Sequence, residues 1–530
     1  MNGLFQKVFG ELRKNDVSFY CLLFVLTVAI GGGFVFSVRL QILCLFVLLI
    51  CFSFLFVNKS FKQNNIFIIA LPIVAVLMSY LGADFQTNVR TASLGFLNAV
   101  LAFFIISYSN LRNKENILIT LVIFAVWVSS LLFLQAFSRV SGSQNAMLLN
   151  INIVAGFLAL TYPLCFSFVE KNKYPRVFLL IALLIFSALV ITKSRSAVII
   201  TYLVSLFYFV RLRKNANFKI FFTFITLFVL AGIIYAFKAK TGWHSFEDRL
   251  VWQRTACLMF KDNPFWGAGF GNFGALFVYY RTEFVLNTLF VHNIFFQLLA
   301  ETGIIGILAF IAAGYVFVKN IIAPFAPANR ISDQTRGGDV LAEENIPYII
   351  SCAAGAAAFI VLNFSDYSFF IPANTIAFFI ICGAAFNVQA QPRNSKLAAI
   401  LILIPAAALI YVFSNVLTAD NYFKQGNALK SAGNFKEAKE KYLKALKYDE
   451  KNADYWYSIS ENAGAEKNYK EAEKYLLNAE KYYKHSSQIK AEAAYLYKIS
   501  GDGENAEKYA KLAKEYDKFN PFYRKSNEQN

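Results

Sequence analysis

Three groups of residues in this chain have the types and spacing that chemistry needs. The first is His292 with Asn293, at the opening of an apolar stretch, followed after nine residues by Gly303-Ile304-Ile305-Gly306. Histidine is scarce here, with three in 530 residues, and an imidazole at a membrane-water boundary can accept a proton near neutral pH. The second is Arg195 in Thr192-Lys193-Ser194-Arg195-Ser196, a polar interruption between two apolar runs. An ionisable residue at membrane depth is costly and points to function. Its plainer reading is a side chain snorkelling from a helix end, a role that suits Lys193 better. The third runs from Asp248-Arg249-Leu250-Val251-Trp252-Gln253-Arg254 to Trp266-Gly267-Ala268-Gly269-Phe270-Gly271-Asn272-Phe273. Arg249 and Trp252 stand three apart and share a helix face, while Arg254 projects elsewhere. Gly267, Gly269 and Gly271 allow the backbone to approach a ligand closely, and their amides suit phosphate oxygens. The run lacks the last glycine of a dinucleotide fingerprint, and a tight turn over the membrane surface explains it equally well. Glu301 lies roughly two and a half helical turns beyond His292, too far to touch it, and suits packing or capping. Glu247, Asp248 and Asp262 lack a compact coordinating spacing, so no metal site is expected.

The elements that must position these groups lie in a membrane. The chain is 57% apolar, with 57 Phe and only 16% charged residues, more apolar surface than a soluble core can bury. Apolar runs long enough for a hydrocarbon core of about 30 Å recur over the first four-fifths of the chain. They lie at 17–36, 40–57, 66–82, 92–108, 117–137, 151–169, 177–192, 196–210, 220–237, 302–321, 347–363, 370–388 and 397–416, predicting a polytopic all-α bundle of about 12–13 spans over residues 1–416. The first follows Lys7, Arg13 and Lys14, has no small-residue cleavage site, and is expected to be a retained anchor. Alternation from a cytoplasmic N-terminus puts the basic-rich loops inside, with Lys59, Lys62, Arg112, Lys114, Lys171, Lys173, Arg176, Arg211, Arg213, Lys214, Lys219, Lys319, Arg330, Arg336, Arg393 and Lys396. The external loop 238–291 breaks the pattern with Lys238, Lys240, Arg249, Arg254, Lys261 and Arg281, an excess that suits an anionic ligand. Residues 1–416 hold 30 Lys and Arg against 15 Asp and Glu, and the remainder holds 21 against 18, so the surplus of the +18 net charge belongs to the membrane part. Anionic lipids fit this charge and nucleic acid does not, since no basic soluble domain interleaved with aromatics is present. Six of the seven cysteines fall in apolar runs and Cys257 is alone in the external loop, which suggests neither disulfides nor a metal cluster.

Residues 417–530 change to Lys, Glu, Ala and Tyr and repeat at a fixed step. Ala438, Ala472 and Ala506 are 34 apart, as are Ala445, Ala479 and Ala513. That period resembles tetratricopeptide repeats, with Gly426, Phe435, Tyr442, Trp456, Tyr469 and Leu476 at the family's small and aromatic positions. An α-solenoid of three units is predicted, roughly 419–452, 453–486 and 487–520, with Gly503 in place of the third aromatic. Such a stack docks partners. With thirteen spans it lies on the same side as loop 238–291, and His485 falls on its surface.

The motifs also resemble the O-antigen ligase family of polytopic glycosyltransferases. Its signature is His, then Asn, Ser or Gln, nine residues, and Gly-x-x-Gly, which His292, Asn293, Gly303 and Gly306 match. The similarity extends over roughly 140–320, through Thr192-Lys193-Ser194-Arg195 and Arg249-x-x-Trp252 to Gly271-Asn272-Phe273; Asn150 and Asn152 correspond loosely. The resemblance implies transfer of a glycan from an undecaprenyl-diphosphate carrier to an acceptor hydroxyl on the external face of a bacterial inner membrane, with neither metal nor cofactor. By position, Arg195 and Arg249 would hold the diphosphate and His292 would remove the acceptor proton, with Arg254, Asn293, Gly269 and Gly271 as substrate contacts. Within the family the acceptor is lipid A-core for ligases, the lipid-linked glycan for polymerases, or protein Ser and Thr for oligosaccharyltransferases. The repeats depart from the minimal pattern and leave lipid or protein acceptors open, since a peptide-binding stack suits a protein acceptor or a protein partner. A lipid-linked glycan transporter would place paired charges inside several spans, whereas these polar residues gather at one face. A membrane scaffold would explain the repeats but leave His292 and Arg195 without purpose.

Overall fold

The computed structural model describes residues 17–31, 37–61, 71–140, 150–239, 244–322, 339–386, 390–392 and 396–520. Lys7, Arg13, Lys14, Lys62, Lys240, Arg330, Arg336 and Arg393 lie outside the described residues. Helices stand at all thirteen expected segments: α1 (Val17–Gly31), α2 (Val38–Asn58), α3 (Leu71–Met78), α4 (Gln86–Ser107), α5 (Leu111–Val140), α6 (Ile151–Thr161) with α7 (Leu164–Glu170), α8 (Pro175–Ile191), α9 (Arg195–Arg211), α10 (Ala216–Ala239), then α11 (His244–Asp262) and α12 (Phe273–Tyr280) in the expected loop, α13 (Ile294–Ile322), α14 (Asp339–Leu362), α15 (Pro372–Ala385) and α16 (Lys396–Ser431). Among the described residues, five helices are long and apolar enough to cross a membrane, and six more apolar helices are shorter. The chain is a multi-pass, largely helical membrane protein; short strands β1 (Lys59–Phe61) and β2 (Ala390–Pro392) pair antiparallel.

Local chemistry sets where these helices start and break. The run at 151–169 is split, because Pro163 has no amide to donate and stands between α6 and α7. Pro175 and Pro372 open α8 and α15, where their missing amides cost nothing. At the centre α4 and α15 lie along each other. Gly383 permits this, since a Cβ there would sit 2.6 Å from the Phe103 carbonyl oxygen; small residues at such crossings are how membrane helices gain van der Waals contact.

The tail is three helical hairpins: the end of α16 with α17 (Phe435–Tyr448), α18 (Ala453–Ala465) with α19 (Tyr469–Tyr482), and α20 (Ser487–Ser500) with α21 (Gly503–Tyr516). Their turns repeat at the sequence step, with Gly433, Lys467 and Gly501 in the left-handed region at φ 81°, 63° and 85°. Ala438, Ala472, Ala445, Ala479 and Ala513 are buried, whereas Ala506 is only half-buried behind Gly503. Gly426 lies against the Tyr442 ring, where a Cβ would be 2.6 Å from Cε1. Helix α16 runs through the expected boundary at 417. No proline or glycine stands between residue 405 and Gly426, so α16 continues from the apolar run into the first hairpin.

Candidate active site

One end of the bundle gathers the α8–α9 turn, the start of α6, the α14–α15 connection, and the segment entering α13. The expected span at 302–321 begins earlier, at Ile294, and is broken at Gly303 (φ 63°, ψ −163°). The break frees backbone groups that the 264–269 segment takes up. Ala268 N donates to Ala300 O (2.8 Å), Gly269 N to Glu301 O (3.1 Å), and Ile304 N to Pro264 O (2.9 Å). Irregular backbone at membrane depth survives only when satisfied in this way. Glycine is required at 303, both for the positive φ and because a Cβ would lie 2.4 Å from Phe265 O. Glu301, fully buried, accepts from Phe273 N (3.1 Å) and Gln297 Nε2 (2.8 Å), the packing role expected of it.

His292 sits just before this helix in the left-handed region, at φ 58°. Its neighbours fix it there. Val291 N donates to Gln297 Oε1 (2.7 Å), Asn293 Oδ1 caps α13 by accepting from Phe295 N (3.0 Å), Asn293 Nδ2 donates to Phe364 O (2.9 Å), and Ile294 N donates to Asn363 O (2.8 Å). The imidazole stacks on Trp252 (centroids 4.8 Å apart, planes at 27°) and meets Tyr367 edge-on (4.7 Å, 74°). Trp252 and Arg249 lie on one continuous helix, α11, as their spacing predicts, and this carries the Arg249 charge close to the ring. Burial, reinforced by that charge, pushes the imidazole down to about 4, leaving it neutral at physiological pH.

The α14–α15 connection supplies residues that the motif reading missed. Asp366, almost fully buried, accepts from the Ser368 hydroxyl; burial raises its carboxyl above the usual range against that bond, the Tyr367 amide and the Arg249 charge. Tyr367 reaches Asn150 Oδ1 (3.5 Å), the side chain that caps α6, and its ring stacks on Phe290 (4.9 Å). The available signal was an acidic residue, Asp366, in a short polar run between two apolar spans. Ser365 donates to Ser196 Oγ (2.9 Å), which brings the start of α9, and with it exposed Arg195, to the same connection.

The structure thus gathers Arg195, Arg249, His292 and Asn293 at one end of the bundle. Arg254 pairs with Glu283 at 3.0 Å on an exposed surface. The approach that Gly269 and Gly271 offer is taken by protein: a Cβ at Gly269 would meet Ala83 Cβ at 2.7 Å, and one at Gly271 would meet Ala92 Cβ at 2.8 Å. Their left-handed turns hold the 264–273 segment against α4 and the α13 break, so this structure gives both glycines packing contacts. From the start of α13 an apolar cavity of about 610 Å³ extends between α13, α14 and α15, lined by Ile294, Phe295, Leu298, Phe310, Phe364 and Phe369 among others. No described group of three or more His, Cys, Asp or Glu residues could hold a metal ion. A search of curated proteins finds no match to the chain. Residues 180–311, which carry Arg195, Arg249, Arg254, His292, Asn293 and the glycine pair, match the family model described as O-antigen ligase, and this supports that family for the site-bearing part of this membrane protein.

Proposed function

We propose that this chain is an O-antigen ligase-like glycosyltransferase that moves a glycan from undecaprenyl diphosphate to an acceptor hydroxyl at the external face of the inner membrane. The observation that carries the reading is a neutral, aromatic-clamped His292 near the Arg249 charge, two residues before Ile294, which lines an apolar cavity. The acceptor oxygen attacks the anomeric carbon while His292 takes its proton; the glycosyl-oxygen bond breaks, and the diphosphate leaves with its electron pair. Arg195 and Arg249 neutralise the leaving group through bidentate contacts, the work a divalent cation does elsewhere, and the cavity holds the prenyl chain. Asn293 fixes His292, Gly269 and Gly271 act through the scaffold, and Arg254 serves the donor glycan. The hairpins are read as tetratricopeptide repeats, an external domain from about 417 that docks a protein partner. Their contact with the 275–281 segment, by Tyr483 and by Asp517, supports reading them on the same side as the site.

The test reconstitutes the protein with a labelled undecaprenyl-diphosphate glycan, without divalent metal, and identifies products by mass. Glycan on lipid A-core establishes ligation, on protein an oligosaccharyltransferase, and longer lipid-linked chains a polymerase. No glycosyl product would overturn the reading.

The pH profile follows from the His292 environment. Catalysis needs the neutral imidazole, so activity is lost as pH falls through its pKa. In the free enzyme that loss should fall near pH 4 in kcat/KM, well below an ordinary histidine. Donor diphosphate beside Arg249 favours the imidazolium, so the acid limb of kcat should lie at higher pH. A kcat/KM limb at the ordinary histidine value would contradict the burial that the structure gives this ring.

A further inference from the structure

The residue directly after each second helix closes its hairpin in the same way: Asp449, Tyr483 and Asp517 follow α17, α19 and α21, stand 34 apart, and share a backbone conformation at φ −147°, −148° and −140°. All three dock on the membrane part. Arg90 Nη2 donates to both oxygens of Asp449 (2.8 and 2.6 Å). Tyr483 stacks on Phe85 (4.9 Å, 9°) and donates to Ala275 O (2.6 Å), packing against the small core of Ala256, Met259, Phe273, Phe277 and Val291 beneath the site. Asp517 accepts from Arg281 Nη2 (2.6 Å), a pair in which both side chains are almost entirely buried. His485, expected on the repeat surface, is also at this interface: its Nδ1 lies 2.9 Å from Asp84 Oδ2, and its ring meets Tyr279 and Tyr516.

Two of these contacts lead to His292. Arg281 gathers its own segment, donating to Asn287 Oδ1 (3.0 Å) and Val285 O (3.3 Å) while Asp517 holds its other terminal nitrogen. The same segment continues through Thr288, whose hydroxyl donates to Phe290 O (2.8 Å), and Phe290, stacked on Tyr367, to Val291 and His292. Tyr483 fixes the other end of α12.

We infer that the tail is an intramolecular clamp on the site, in which Asp517, Arg281 and Tyr483 are positioning residues that set the segment 281–292 and so the placement of the His292 imidazole. A buried guanidinium that loses its carboxylate is left as an uncompensated charge, so the segment must rearrange to hydrate it. A stack that serves only to recruit a partner has no need to send the equivalent residue of every hairpin into the membrane part. The effect on turnover rests on the transferase reading above; the effect on the segment does not.

The full-length protein in lipid bilayers is compared with Asp517→Asn, the charge-exchanged Arg281→Asp/Asp517→Arg, and Tyr483→Phe, which keeps the stacked ring and removes one hydrogen bond. Backbone hydrogen exchange over 281–292 is followed by mass spectrometry, and kcat and donor KM are measured separately. Asp517→Asn should speed exchange in that segment about tenfold or more, as loss of a charge-assisted bond permits. It should lower kcat on the order of 10²-fold with donor KM little changed, the effect expected of a general base displaced by about 1 Å. The exchanged pair should recover part of both, and Tyr483→Phe should show a smaller change of the same kind. Unaltered exchange at 281–292 in both Asp517→Asn and Tyr483→Phe would overturn the clamp. Faster exchange with wild-type kcat would overturn the positioning of His292. If the wild-type protein forms no glycosyl product, the transferase reading fails, and the exchange result alone decides the clamp.

Discussion

His292→Ala is expected to lower glycosyl transfer by about 10²- to 10⁴-fold, the usual contribution of a positioned general base. The variant should keep donor binding, because the groups assigned to the diphosphate are guanidiniums on α9 and α11 rather than this ring. It should also keep its fold. The backbone around position 292 is held by Gln297, Asn293 and Asn363 rather than by the imidazole, and alanine would occupy φ 58° at a cost of roughly 1–2 kcal/mol. The measurement is single-turnover transfer at saturating donor, with donor binding measured in parallel. Unchanged turnover would sink the base assignment. A loss of binding equal to the loss of rate would make the ring a donor contact instead.

Arg249→Lys should cost on the order of 10²- to 10³-fold in turnover, although the charge is kept. A guanidinium offers parallel N–H donors that match two phosphate oxygens at once; an ammonium offers a hydrated point charge and cannot reproduce that geometry. The pH profile separates this role from the influence of Arg249 on His292. Lysine still presents a positive charge toward the imidazole, so the acid limb of kcat/KM should stay where it is while the rate falls. Arg249→Ala removes the smaller of the two causes of the low imidazole pKa, so its acid limb should move to higher pH. Wild-type turnover of Arg249→Lys, measured at saturating donor, would contradict the clamp on the leaving group.

Much of the architecture was legible because membranes make helix formation nearly obligatory. A long apolar run can satisfy its backbone in lipid only as a helix, so composition located helices at each expected segment. The 34-residue step was equally legible, because a hairpin repeats its turn and its packing alanines together. Less legible was anything that depends on one backbone group finding another far along the chain. The break at Gly303 is paired by Pro264 and Phe265, and the glycines at 267–271 look like a ligand cradle until Glu301, Ala83 and Ala92 are seen to fill the space.

The sequence by itself determined which residues were candidates for chemistry: a scarce histidine beside an asparagine at a span entrance, arginines at polar interruptions, and a helical spacing that places Arg249 and Trp252 on one face. These follow from residue type and local periodicity, which short-range geometry fixes. Only the tertiary structure decided that Trp252 and Tyr367 clamp the imidazole, that Asp366 feels the Arg249 charge, that Arg254 pairs with Glu283, and that Asp449, Tyr483 and Asp517 hold the tail against the membrane part. Each of these contacts joins segments remote in sequence. No periodicity records such pairs, because burial of a ring or a charge depends on which neighbours the whole packed bundle brings to it.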